Sequence, residues 1–133
     1  MDEINIYLET EIHPTESEDK VREAVGNVFG NIPMRKKQSL RTVLLVADGR
    51  GQGVLEKLRN LLITDRIRDA ARKAFFNGIS EKTIKFCLNK QAAFMRHISF
   101  SNKTSESPLG PIRVTIESPN PIDLIDWLAP RTS

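Results

Sequence analysis

A chain of 133 residues with 39% apolar and 28% charged side chains has the size and composition of one folded domain, and is neither a disordered segment nor a disulfide scaffold. Cys87 is the lone cysteine, which excludes an internal disulfide and every multi-cysteine zinc pattern. No window approaches the roughly 18 apolar residues of a membrane span, and the acidic start Met1-Asp2-Glu3 is unlike a signal peptide, so a soluble, cytoplasmic protein is expected.

The net charge of +3 hides a strong asymmetry: residues 1–23 carry eight acidic and two basic side chains, and residues 35–103 carry sixteen basic and five acidic ones. If folding gathers the basic set on one side, the product is a polyanion-binding face. The bland alternative is a solvated helix face laced by pairs such as Asp65/Arg68, Asp69/Arg72 and Asp69/Lys73.

Ile4, Ile6, Leu8 and Ile12 fall on the period-two pattern of a half-buried strand that ends at Pro14. Thr15 and Glu18 have capping-box spacing, and Val21, Ala24, Val25, Val28 and Phe29 form the stripe of a helix that Gly30 can terminate. The basic stretch from Ile32 to Gln38 leads into the β-branched run Leu40–Ala47, which together predict a bent or broken strand pair. Two helical stripes follow the Asp48–Gly53 loop. They are Val54/Leu55/Leu58/Leu61/Leu62 and Ile67/Ala70/Ala71/Ala74/Phe75, joined by a kink or turn near Ile63, with Thr64 or Asp65 as cap and Gly78 as stop. Ile84/Phe86/Leu88 and Ile112/Val114/Ile116 predict two more strands, with a short edge strand in His97–Phe100 and a polar loop over Ser101–Ser107. Asn120-Pro121 opens a short last helix. Strands and helices mix without strict βαβ alternation, so the expected class is α+β: one two-layer domain over 1–133, an antiparallel or mixed sheet covered by helices. The predicted core is Ile6, Leu8, Val21, Val25, Phe29, Val43, Leu45, Leu58, Leu62, Ile67, Ala71, Phe75, Ile84, Phe86, Val114, Ile116 and Leu128.

Chemistry-bearing motifs are sparse. Gly49-Arg50-Gly51-Gln52-Gly53 lies between a strand and a helix, where amides can hold a phosphate, but its spacing matches neither the dinucleotide fingerprint nor the P-loop. His13 and His97 are too isolated for a metal site, Cys87 has no local general base, and Trp127 reads as a core anchor. No catalytic residue, metal or cofactor is expected.

The strings Ile12-His13-Pro14-Thr15-Glu16, Leu88-Asn89-Lys90-Gln91-Ala92-Ala93-Phe94, Ser107-Pro108-Leu109-Gly110-Pro111-Ile112 and Ile125-Asp126-Trp127-Leu128-Ala129-Pro130 are long and unusual. On them the chain resembles, over nearly its whole length, an uncharacterised archaeal family commonly labelled RNA-binding. The resemblance implies a ribosomal-protein-like fold, similar to the fifth large-subunit ribosomal protein. The chain departs from the pattern at Ile63-Thr64-Asp65, where a basic, glutamine-containing run is usual, and at Arg96, where glycine is usual.

Asn89-Lys90-Gln91 joins one point charge to two amides, a set suited to phosphate oxygens and base edges. Asn89 is equally suited to capping the turn that follows. The expected function is therefore non-enzymatic binding of structured RNA in a ribosome-associated setting. The expected contacts are Lys85, Asn89, Lys90, Gln91 and Arg96, with Arg35, Lys36 and Lys37 as a secondary patch. A phosphate- or nucleotide-binding role for Gly49–Gly53, and assembly through an exposed sheet edge, are the alternatives. The Ser-Pro-Leu-Gly-Pro segment is expected to be an ordered turn.

Overall fold

The computed structural model describes residues 3–101 and 110–131. One antiparallel sheet forms the floor of the molecule, built from β1 (Asn5–Ile12), β2 (Met34–Ser39), β3 (Thr42–Arg50), β4 (Ile79–Ser80), β5 (Thr83–Asn89), β6 (Phe100–Ser101) and β7 (Pro111–Glu117). Its order is β2-β3-β1-β7-β5-β4, with β6 also on β5, and every pair is antiparallel. The helices are α1 (Glu18–Phe29), α2 (Glu56–Thr64), α3 (Arg68–Asn77), α4 (Lys90–Phe94) and α5 (Pro121–Leu128), with a 3-10 turn over Gln52–Leu55 before α2. The α+β class read from the sequence is the class observed. The polar Ser101–Ser107 loop beyond Ser101, and Ser107–Leu109 of the proline-rich segment, lie outside the described residues.

Alternation decides which face is covered. Register places Leu8 opposite Ala47 and Val114, and Val114 opposite Phe86, so these residues share the face on which the helices pack. Ile4, Ile6, Leu8, Leu45, Ile84, Leu88, Ile112 and Ile116 are buried there with Val21, Val25, Leu58, Leu62, Ala71, Phe75 and Leu128 in one cluster. Thr10 is the polar exception; its hydroxyl donates to the Pro111 carbonyl at 3.0 Å, which removes the penalty of burying it. Two expected core members differ. Val43 is only half-buried near the start of β3, and Ile67 packs at the margin because it starts α3 rather than facing inward from it. The rings of Phe75, Phe86 and Phe100 meet edge-on at 4.9, 5.6 and 6.0 Å, locking α3 to β5 and β6.

Helix ends depart from the sequence reading in an instructive way. The Thr15/Glu18 capping box does not form. Ser17 stands at the N-cap without a side-chain bond, and Glu18 pairs instead with Arg22 at 2.9 Å and Lys36 at 3.2 Å. Those two cations hold the Glu18 carboxyl below its ordinary range. Asp65 likewise does not cap α3, whose N-cap is Ile67 without a side-chain bond. Asn89 does cap α4, its Oδ1 accepting the Ala92 N–H at 2.8 Å.

Two arginines fasten α5. Arg59 Nε donates to the Trp127 carbonyl at 2.8 Å with its guanidinium over the indole, and Arg72 donates to Asp126 at 2.8 Å and to the Ala129 carbonyl at 3.0 Å. The orphan carbonyls at the end of α5 are thus satisfied by cations from α2 and α3. Gly78 ends α3 where the chain crosses onto β5: its carbonyl accepts the Lys85 N–H at 3.0 Å, and a Cβ there would collide with the Lys85 carbonyl.

Candidate nucleic-acid interface

The uncovered sheet face is mixed in charge and largely self-neutralised. Arg113 Nε lies 3.1 Å from Glu9, and Arg35 lies 3.2 Å from Asp48. Leu44, between Lys37 and Glu11, and Val46, between Arg35 and Glu9, are buried on this face outside the helix-side cluster, beneath the stems of those neighbours. Tyr7 is the aromatic residue here, and its hydroxyl donates to Glu9 at 3.2 Å. Burial, and then the Glu9 carboxylate, raise its phenol above the ordinary 10.0. With carboxylates of Glu9, Glu11 and Asp48 on it and no row of aromatics, this face is poorly suited to phosphates or to stacked bases.

The sequence-predicted contacts scatter. Lys85 is exposed on the open face of β5, opposite Thr115. Asn89 is half-buried and spent on the α4 cap. Gln91 is exposed at the mouth of a cavity of about 530 Å³ between α1 and α4, with Thr15, Ser17, Lys20 and Phe94. Lys36 is tied to Glu18 and Arg35 to Asp48, while Lys37 is exposed. Strands β2 and β5 are separated by three others, so the basic triplet and Lys85 stand about 19 Å apart at about 4.8 Å per strand spacing. Those cations on β2 also oppose pairing of this edge with another strand.

Lys90 requires a correction. Its side chain is only 4% exposed, and Nζ donates to the Glu11 carbonyl at 2.7 Å and to Glu16 Oε1 at 3.0 Å. Glu16, itself 11% exposed, also accepts the His13 N–H at 3.0 Å. Lys90 therefore joins the end of β1 to the start of α4 from inside the molecule and cannot neutralise an external phosphate. The sequence shows a lysine at a strand end; only packing reveals that Glu16 meets it.

Two of the three glycines in the Gly49–Gly53 loop have structural causes. Gly49 packs so closely that a Cβ would lie 3.2 Å from both Ile32 and Val54 side chains, and Gly51 takes φ 87° while its N–H donates to the Ile4 carbonyl at 2.8 Å. One amide needed for a phosphate cradle is thus already used, and Asp48 and Glu56 flank the loop.

A different corner gathers unpaired cations. Helix α2 ends with Ile67 N–H donating to Leu62 O and Arg66 N–H to Ile63 O, both at 3.1 Å; α4 ends with His97 N–H to Ala92 O at 2.9 Å and Arg96 N–H to Ala93 O at 3.0 Å. Each is a Schellman termination, with Arg66 at φ 57° and Arg96 at φ 66° in the position where glycine is favoured. That backbone costs a residue with a Cβ about 1–2 kcal/mol. The two turns touch through Asp65, whose carboxylate lies 3.3 Å from the Ile98 N–H and 3.3 Å from His97 Nδ1. Asp65 is 16% exposed and His97 67%, so the carboxylate is turned inward and the imidazole outward. Arg66 and Arg96 are both exposed, and neither guanidinium has a partner among the described residues. Arg66 escaped the sequence reading because an arginine in this position carries no glycine-like signal of a helix end.

Comparison with known proteins agrees with this architecture. A family model described as RNA binding matches residues 5–118. The chain belongs to the UPF0201 family. It is 44% identical over 128 residues to a UPF0201 protein of Sulfurisphaera tokodaii, covering 96% of this chain and 88% of the relative. It is 46% identical over 130 residues to one of Pyrobaculum islandicum, covering 97% and 91%. The crystal structure of a UPF0201 protein from Methanococcus jannaschii superposes with a TM-score of 0.85 at 28% identity, covering 97% of this chain and 95% of that one. These are uncharacterised archaeal relatives, and the resemblance stated from the motifs is to this group. Among the described residues, no helix is long and apolar enough to cross a membrane, and no group of three or more metal-ligating side chains gathers.

Proposed function

We propose that this protein binds structured RNA, without catalysis, through exposed cations on its helical side. The observation that carries the reading is the distribution of charge after internal pairing. Acids dominate β1 and α1, whereas Arg66, Arg96 and Lys73 on the helical side remain exposed without an acidic partner among the described residues. The description of the matching family model supports the same ligand class. Phosphate contacts supply affinity, and a fold poor in exposed aromatic rings favours recognition of a helical or folded RNA by shape over recognition of splayed bases. In this reading Gln91, exposed at the mouth of its cavity, contributes a contact to a sugar hydroxyl or a base edge. The setting we infer is ribosome association, on the ground of the family resemblance stated from the motifs.

The test is capture of total RNA from an archaeon by the purified protein, followed by anisotropy titration of a fluorescent RNA stem-loop at low and moderate salt. With about six phosphate contacts, affinity falls about a thousandfold between about 50 and about 200 mM salt. Failure to capture RNA above background, or equal affinity for the stem-loop and an unstructured strand, would refute the reading.

A further inference from the structure

We propose that Arg66 and Arg96 together form a two-point clamp on the RNA phosphate backbone, built where the ends of α2 and α4 meet. The proposal rests on the RNA-binding reading and identifies the contact surface within it.

Three observations converge on this corner. Two helices from distant parts of the sequence terminate in the same motif, and both place arginine, not glycine, at the left-handed residue. Leu40 and Glu81 share this backbone in two hairpin turns, so the strain assigns no function by itself; here it coincides with two helix ends that meet. The termini are also not independent: Asp65, the residue before Arg66, contacts the residues after Arg96, accepting from the Ile98 amide and meeting the His97 ring, so the two helix ends that carry the arginines are tied to each other. Finally, both guanidinium groups are exposed and unpartnered among the described residues, in contrast to Arg59 and Arg72, which are committed to α5. Guanidinium groups give forked donors matched to phosphate oxygens, and two of them carried on helix ends that are tied together can meet one backbone segment at the same time. Asp65 is thus a positioning residue, and His97, outward beside it, adds a further donor at the rim.

A purely structural explanation competes, since a cation near a helix C-terminus complements the helix dipole. The two accounts separate in the Arg66→Gly/Arg96→Gly double variant. Glycine adopts the left-handed backbone freely, so under the clamp the variant keeps or exceeds the parent melting temperature while losing at least about tenfold in affinity for the fluorescent RNA stem-loop, and the slope of log affinity against log salt falls by about two. A Lys37→Ala/Arg41→Ala variant, which removes the same charge from the β2–β3 hairpin, should lose less than about threefold, because that hairpin lies away from the corner where the ends of α2 and α4 meet. Stem-loop binding by the double glycine variant equal to that of a binding-competent parent would overturn the clamp alone. So would a melting temperature lowered by more than a few degrees, or an equal loss in the hairpin variant. A parent that binds no stem-loop overturns the RNA-binding reading itself and the clamp with it.

Discussion

Removing Lys90 tests the reassignment of that residue from ligand contact to internal tie. In Lys90→Ala the Glu16 carboxylate, 11% exposed, loses its cation at 3.0 Å and the Glu11 carbonyl loses a donor at 2.7 Å. Leaving one member of a buried pair uncompensated costs about 3–5 kcal/mol. For 133 residues the entropy of unfolding at the midpoint is roughly 280 cal/mol/K, so each kcal/mol moves the melting temperature by roughly 3.6 °C. The expected fall is therefore about 11–18 °C. Replacing both partners, as Lys90→Met/Glu16→Leu, removes the uncompensated charge, and the double variant should recover a large part of that loss. Urea denaturation of the parent, both single variants and the double variant gives the coupling energy. RNA titration of the folded Lys90→Ala protein at two salt concentrations should show an unchanged slope. A Lys90→Ala cost below about 1 kcal/mol, or a salt slope reduced by about one, would refute the reasoning and return Lys90 to the surface.

Gly78→Ala should lose about 2 kcal/mol or more in urea denaturation, since the new methyl meets the Lys85 backbone and neither strand nor helix end can yield cheaply; a variant as stable as the parent would show that α3 shifts freely. Arg72→Ala should lose about 2 kcal/mol, because its side chain is only 12% exposed and caps the Ala129 carbonyl as well as pairing with Asp126, whereas Asp126→Ala alone should cost far less; equal costs would mean that the ion pair and not the cap is what matters. The phenol of Tyr7, the one tyrosine, should titrate above 10.0 by ultraviolet absorbance, and Glu9→Gln should move it back toward 10.0. Because the folded pKa is raised, the stability linked to it is complete below pH 10.0 and is lost as pH rises through the folded value; a phenol titrating at or below 10.0 would contradict this.

Local pattern was enough for the α+β class, for β1, α1, β5, β7 and α5, and for most of the core. Period-two and helical stripes report burial directly whenever one face of an element packs and the other is solvated. It also sufficed for the Asn89 cap, whose partner Ala92 lies three residues away. Strand order, the two-residue β4 and the edge position of β2 depend on pairings between distant segments that no local pattern encodes. The same distance separates a basic residue from its fate. Arg59 and Arg72 are claimed by α5, Lys36 by Glu18 and Lys90 by Glu16, so the count of sixteen basic residues overstated the cations available to a ligand. Composition established that this chain carries an excess of positive charge in its centre and acids at its start. Tertiary packing decided which of those charges are spent on holding the fold together, because the partners of a buried cation are chosen by proximity in space, and Arg66 and Arg96 become neighbours only when the ends of two helices meet at Asp65.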